Sequence, residues 1–291
     1  MRAETRAAFL LIAPAMVLIL FFFFAPVVAG FLLSLTDFDL YTIGDAHNLR
    51  VVGLRNYADL LTSGIFWTAI GNTLYFALVG GPLTVITSLA AALLVNAKLT
   101  RWKAFFRTVY FVPVVTSLVA VSIVFKYLYH PRFGILNLTL SAIGIEGPDW
   151  LGDPRWAMFS IILLAVWRGF GYTMLIFIAG LQQIPEELYE AARIDGAGPL
   201  RQFRHVTLPM LGPTFLFVGI VTAIGQLQIF GEPYVMTRGG PLNKTLTAVM
   251  LMYEQGFRWW RMGYAASVAF VLFLIIGAAT LVQLRLQKGR A

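Results

Sequence analysis

Cysteine is absent from the chain, which excludes disulfides and thiolate metal sites and leaves the redox compartment unreadable. His47, His130 and His205 are scattered without the spacing a metal centre needs. No Gly-Lys dipeptide occurs, so the usual phosphate-binding loop of nucleotide hydrolases is missing and ATP hydrolysis by that route is excluded. The apolar runs hold no His-Glu-x-x-His pair and no Ser, His and Asp constellation, so no catalytic residue and no metal ligand are expected. Charge is scarce as well: 12% of residues are Asp, Glu, Lys or Arg, where a soluble globular chain carries roughly 25%.

What remains is largely apolar, 59% of residues, with a mean hydropathy of +0.77. The expected fold is an all-α integral membrane protein, read as a single domain over residues 1–291 with six transmembrane helices. The spans are expected at residues 8–35, 66–96, 105–128, 156–181, 208–230 and 262–284. Each is long enough, at about 1.5 Å per residue, to cross a hydrocarbon core of about 30 Å. Arg2 and Arg6 before the first run resemble a signal peptide, but its apolar part is about twice the usual 7 to 15 residues. It reads as an uncleaved span. Gly80-Gly81-Pro82 should kink the second span, and Trp259 and Trp260 suit a membrane interface.

The formal net charge is +8. Lys98, Arg101, Lys103 and Arg107 crowd one short connection, and Arg285, Lys288 and Arg290 close the chain. The positive-inside rule puts that connection and both termini in the cytoplasm. These charges stand at span ends rather than in one stripe, which points to membrane lipid and not to nucleic acid.

The longest polar interruption on that side is IPEELYEAARIDGAGPLRQFRHVTLP, from Ile184 to Pro209. Pro185 suits a helix start, and Glu186 and Glu187 place negative charge where the helix dipole favours it. Asp195-Gly196 ends that helix, and Gly198-Pro199 begins a second one, leading through Phe203 to Pro209. Glu190-Ala191-Ala192, then Gly196, then Val206-Thr207-Leu208-Pro209 resembles the EAA loop of membrane-spanning subunits of bacterial ABC importers, with Val206 where Ile is usual. The resemblance implies a coupling helix that docks on a separate ATP-hydrolysing subunit. The coupling residues would be Glu190, Ala191, Ala192, Asp195, Gly196, Leu208 and Pro209.

The resemblance extends over most of the chain. Phe106 to Val109 with Pro113, Gly134 to Asn137, Ala179 to Pro185, Met236 to Pro241 and Gly256 to Ala265 are similar to sugar-importer permeases of the maltose and glycerol-phosphate type. It implies a permease of the bacterial inner membrane that forms a heterodimer with a second, related permease. It also implies two ATP-binding subunits, which would hold ATP and magnesium, and an extracytoplasmic solute-binding protein. No cofactor is expected in this chain. Gly239, Gly240 and Pro241 would touch the binding protein; an ordinary Gly-Pro turn explains them equally well.

Polar residues within spans usually face a cavity. Asn72 and Tyr75, Arg168 and Tyr172, and Thr222 and Gln226 form three same-face pairs and are the candidate lining of a solute path. Amides and hydroxyls suit sugar hydroxyls, and rings suit the apolar sugar faces. The other reading of each is helix bridging or packing, with Arg168 bound to backbone carbonyls or to an acid of the partner permease. Arg168 alone would also suit an anionic solute such as a glycerol phosphate. An ion-coupled transporter or channel would want carboxylates inside the spans, and the expected spans contain none. A membrane enzyme would want acids or histidines clustered at an interface, and only the coupling loop holds such a cluster.

Overall fold

The computed structural model describes residues 2–40, 42, 49–97 and 100–288. His47, Lys98 and Arg290 lie outside these, as do the side chains of Arg2, Arg6 and Lys288. Among the described residues the regular elements are helical, with one isolated bridge between Thr36 and Val51.

Helix α1 runs Arg2–Ile19 and continues through a π turn, Leu20–Phe24, into Ala25–Ser34. Then come α2 (Arg55–Thr62), α3 (Gly64–Asn96), α4 (Lys103–Val115), α5 (Leu118–Leu128) and α6 (Ile135–Ala142). They are followed by α7 (Ala157–Gln182), α8 (Glu186–Ile194), α9 (Pro199–Gln202) and α10 (Gly212–Leu227). The last are α11 (Gly231–Met236), α12 (Ala248–Tyr253) and α13 (Met262–Lys288). Five segments are long and apolar enough to cross a membrane: Leu11–Ser34, Gly64–Asn96, Ala157–Gln182, Gly212–Met236 and Met262–Leu286. Helices α4 and α5 make a sixth when counted together, although a bend of 96° separates them.

That bend departs from the uninterrupted helix expected over residues 105–128. Thr116 and Ser117 take extended ψ angles of 152° and 122°, and Ser117 Oγ accepts the Ala120 N–H at 3.5 Å, starting a new helix. Thr116 Oγ1 donates to the Pro113 carbonyl at 2.6 Å, so the end of α4 is not left bare. The fifth span differs too: α10 stops at Leu227 rather than running to residue 230, and α11 resumes at Gly231. Thr247 Oγ1 donates to the Ile229 carbonyl freed by this break, at 2.9 Å. By contrast α3 is unbroken through Gly80-Gly81-Pro82, where Thr84 Oγ1 donates to the Gly80 carbonyl at 2.8 Å.

The chain forms two compact units. The first comprises residues 1–67 and 251–273. There Asn56 Nδ2 donates to the Ser34 and Thr36 carbonyls at 2.9 and 2.7 Å, and Phe31 and Phe270 pack with ring centres 5.0 Å apart. Helix α1 buries no side chain between Leu11 and Leu33 and is apolar all round, as a helix bathed in lipid should be.

The second unit comprises residues 68–250 and 274–291 and is built on α7. One apolar cluster joins Phe76, Met158, Ile161, Ile162 and Leu164; another joins Ala92, Met174, Phe177, Ile178 and Leu211. Lipid tails are as apolar as Leu, so close packing and hydrogen bonds hold such helices together rather than escape from water. Ser88 Oγ on α3 donates to the Phe170 carbonyl on α7 at 2.9 Å. One residue on, Gly171 lies so close to the Tyr110 carbonyl of α4 that a Cβ there would overlap it. After α5, burial pushes the Tyr129 phenol up to about 12, so it stays protonated and donates to the Ser160 carbonyl at 3.0 Å.

Candidate coupling loop and solute path

The sequence from Pro185 to Met210 folds as two short helical arms. Helix α8 carries Glu186 and Glu187 in its first turn and Arg193 in its last, each on the side the helix dipole favours. Arg193 Nη2 lies 3.2 Å from Glu186 Oε1 and 4.0 Å from Glu190 Oε1. These pairs are half exposed, so each contributes at most about 1 kcal/mol. At the turn the Gly196 N–H reaches the Arg193 carbonyl at 3.0 Å, and the Ala197 N–H reaches that of Ala192 at 2.8 Å. This double closure needs a left-handed residue, and Gly196 supplies it with φ +74°.

The second arm begins with Pro199 at its first position and passes through a π turn, Phe203–Thr207, into Leu208–Met210. Gln202 Nε2 donates to the Ala197 carbonyl at 2.8 Å, and the Tyr189 and Thr207 hydroxyls meet at 3.0 Å, tying one arm to the other. The loop is thereby a preformed rigid corner. Its apolar tips are bare: Ile194 is 86% and Leu200 80% exposed. Glu190, Ala191, Asp195, Gly196 and Pro209 are exposed too, while Ala192 and Leu208 are half-buried. An open pocket of about 410 Å³ lies beside the second arm, lined by Gly198, Pro199, Leu200, Arg201, Arg204 and His205.

The polar residues read as path lining take partners outside their own set. Asn72 Nδ2 donates to the Asn243 and Leu246 carbonyls at 2.7 and 2.9 Å, pinning the segment after α11 to α3. Gln226 Nε2 lies 3.4 Å from Thr84 Oγ1, and its Oε1 is buried with no hydrogen-bond partner among the described residues. Thr222 is half-buried, whereas Tyr75 and Tyr172 are both 46% exposed.

Arg168 meets an acid that lies just past the fifth span expected from the sequence, residues 208–230. Its Nη1 stands 3.3 Å from Glu232 Oε1, on the short helix α11, and its Nε is buried without a partner among the described residues. The expectation that no acid falls within a span is therefore corrected: Glu232 belongs to the span Gly212–Met236 and is buried. The break after Leu227 turns the chain so that α11 packs on α5 and α7 instead of leaving for the outer face. A signal existed, since a lone Arg in a span calls for a counter-charge and Glu232 is the acid nearest the end of the fifth run.

Gly239, Gly240 and Pro241 form a tight turn with φ +84° at Gly239 and a cis Gly240–Pro241 bond. Thr245 Oγ1 donates to the Gly240 carbonyl at 2.8 Å and meets the Thr237 hydroxyl at 2.6 Å. The neighbouring Leu242 is 82% exposed.

Comparison with known proteins gives consistent relatives. The family described as binding-protein-dependent transport system inner membrane component matches residues 84–290. The lactose transport system permease protein LacF of Rhizobium radiobacter is 39% identical over 97% of this chain and 94% of its own. The arabinooligosaccharides transport system permease protein AraP of Bacillus subtilis is 34% identical over 98% of this chain and 89% of its own. Among solved structures, a bacterial ABC transporter involved in import of the acidic polysaccharide alginate contains a chain of similar fold. The TM-score is 0.79 at 22% identity, covering 99% of this chain and 96% of that one.

Proposed function

The chain belongs to the family of binding-protein-dependent transport system inner membrane components, and from that premise we propose that it moves a sugar, oligosaccharide or related polyol across a bacterial inner membrane. It works as one permease of a heterodimer, with two copies of an ATP-hydrolysing subunit on the cytoplasmic face. Those subunits bind ATP and magnesium. A solute-binding protein outside delivers its cargo near Gly239, Gly240 and Pro241.

The observation that carries this reading is the rigid corner from α8 to α9, with Ile194 and Leu200 bare at its tips. Large apolar side chains on a charged loop suit a groove on another protein. The hydroxyl pair of Tyr189 and Thr207 and the double closure at Gly196 let the corner move as a lever when the ATPases close. The positive-inside rule puts the corner and both termini in the cytoplasm. The solute class is supported by the relatives, named for transport of lactose and arabinooligosaccharides. The same family membership disfavours an ion-coupled transporter.

Purification from native membranes in mild detergent, with mass spectrometry of what accompanies the chain, tests the proposal. An ATPase and a second permease should co-purify, and Glu190→Lys should release the ATPase. A chain that purifies alone or only with itself would overturn the reading.

A further inference from the structure

Arg168 lies 11 residues from the start of α7 and 14 from its end, which puts it near mid-membrane. Among the described residues of the spans it is the one cation away from a span end: Lys103 and Arg107 begin α4, Lys126 ends α5 and Arg285 lies near the end of α13. A charge at that depth faces protein or a watery cavity rather than lipid. The Arg168 side chain keeps 30% of its exposure while Glu232, behind it, keeps 7%. Tyr172, one turn on along the same face, is 46% exposed. Arg168 and Tyr172 thus border the open side of α7, and Glu232 is the buried counter-charge.

We propose that Glu232 sets the charge class of the solute: by neutralising Arg168 it leaves this chain's side of the path without net charge, so that uncharged sugars pass and anionic ones are refused. The proposal rests on the reading of the chain as a sugar permease. An anion leaving water needs a fixed positive charge or several donors in return, and the interior cation is already committed to Glu232. Uncharged hydroxyls need only amides, hydroxyls and rings, which Gln226, Tyr75 and Tyr172 provide.

The test uses the assembled complex of this chain with its native partner permease and ATPase, without binding protein, so that the path itself is read. Calorimetric titration compares lactose, maltotriose and arabinotriose with digalacturonate and trigalacturonate. Wild type should bind at least one uncharged sugar and neither uronate. Glu232→Gln should bring uronate binding into the measurable range, at least about tenfold above the upper bound that wild type sets on the uronate-to-neutral affinity ratio, and the double variant Arg168→Gln/Glu232→Gln should return it below that bound. Wild type binding uronates as well as neutral sugars would overturn the proposal, as would an assembled Glu232→Gln complex whose ratio stays below that bound. Should Glu232→Gln fail to assemble, uronate binding by the double variant would overturn it instead. A wild-type importer that neither binds nor, with its binding protein, transports any sugar would refute the sugar-permease reading itself.

Discussion

Arg168 Nη1 and Glu232 Oε1 stand 3.3 Å apart although 64 positions separate the two residues in the chain. The pair joins the long helix α7 to the short helix α11 beyond a break, and so fixes where the interrupted span resumes. Removing one partner of a buried ion pair leaves the other uncompensated, which costs about 3–5 kcal/mol, whereas removing both is often neutral. Because Arg168 keeps 30% exposure, Glu232→Gln should fall at or below the lower end of that range. Arg168→Met/Glu232→Met should recover most of the loss. Thermal unfolding of the purified protein in detergent measures both; equal losses for the single and double variants would show that the pair contributes through packing alone.

The contact between α4 and α7 depends on Gly171. A Cβ there would overlap the Tyr110 carbonyl, while one at Gly169, two positions earlier, would meet nothing within 4 Å. Gly171→Ala must push two backbones apart and should cost about 1–3 kcal/mol or more. Gly169→Ala should be neutral or stabilising by up to about 1 kcal/mol, since Ala favours helix over Gly. Unfolding midpoints of the two variants, measured side by side, check the contrast; similar values would mean that α4 yields easily.

Much of this architecture is legible in the sequence, because spans are written as apolar runs and the corner between α8 and α9 as a polar island with Pro, Gly and acid in diagnostic places. The ends of α7 fall within one residue of the apolar run at 156–181. The breaks are harder to read. Thr116 and Ser117 lie inside an apolar stretch, where a capping Ser looks like any small residue of a span. Glu232 is not legible as a span residue because the apolar run ends at Phe230, and only the tertiary turn after Leu227 brings it back to Arg168. Asn72 shows the same limit: its partners lie 171 and 174 positions away, a distance no local pattern encodes.

The φ of +74° at Gly196 makes the corner between α8 and α9 selective about side chains. Asn tolerates the left-handed region, whereas a β-branched residue is disfavoured there by roughly 1–2 kcal/mol or more. Gly196→Val should therefore lower solute uptake per ATP hydrolysed while the protein still inserts, and Gly196→Asn should keep most of the coupling. Parallel assays of ATPase rate and uptake in proteoliposomes decide it. Coupling at the wild-type level in Gly196→Val would mean that the corner is not the lever.

Asn72 and Gln226 are both candidate path residues, but their hydrogen bonds differ, and alanine variants should separate the two. Asn72→Ala takes the amide donor from the Leu246 carbonyl, while the Asn243 carbonyl keeps the Leu246 N–H at 3.2 Å, and should cost about 1–3 kcal/mol. Its effect on uptake should then be the same for every solute, because the lost element is a tie between α3 and the segment after α11. Gln226→Ala removes a buried Oε1 that has no partner among the described residues and an amide that makes one long contact, 3.4 Å, with Thr84 Oγ1, so stability should change by less than about 1 kcal/mol. If that free oxygen awaits a solute hydroxyl, the same variant should raise KM and reorder preference among sugars. Unfolding midpoints together with uptake kinetics for several sugars make the comparison; a Gln226→Ala importer with unchanged kinetics for all of them would take Gln226 off the path.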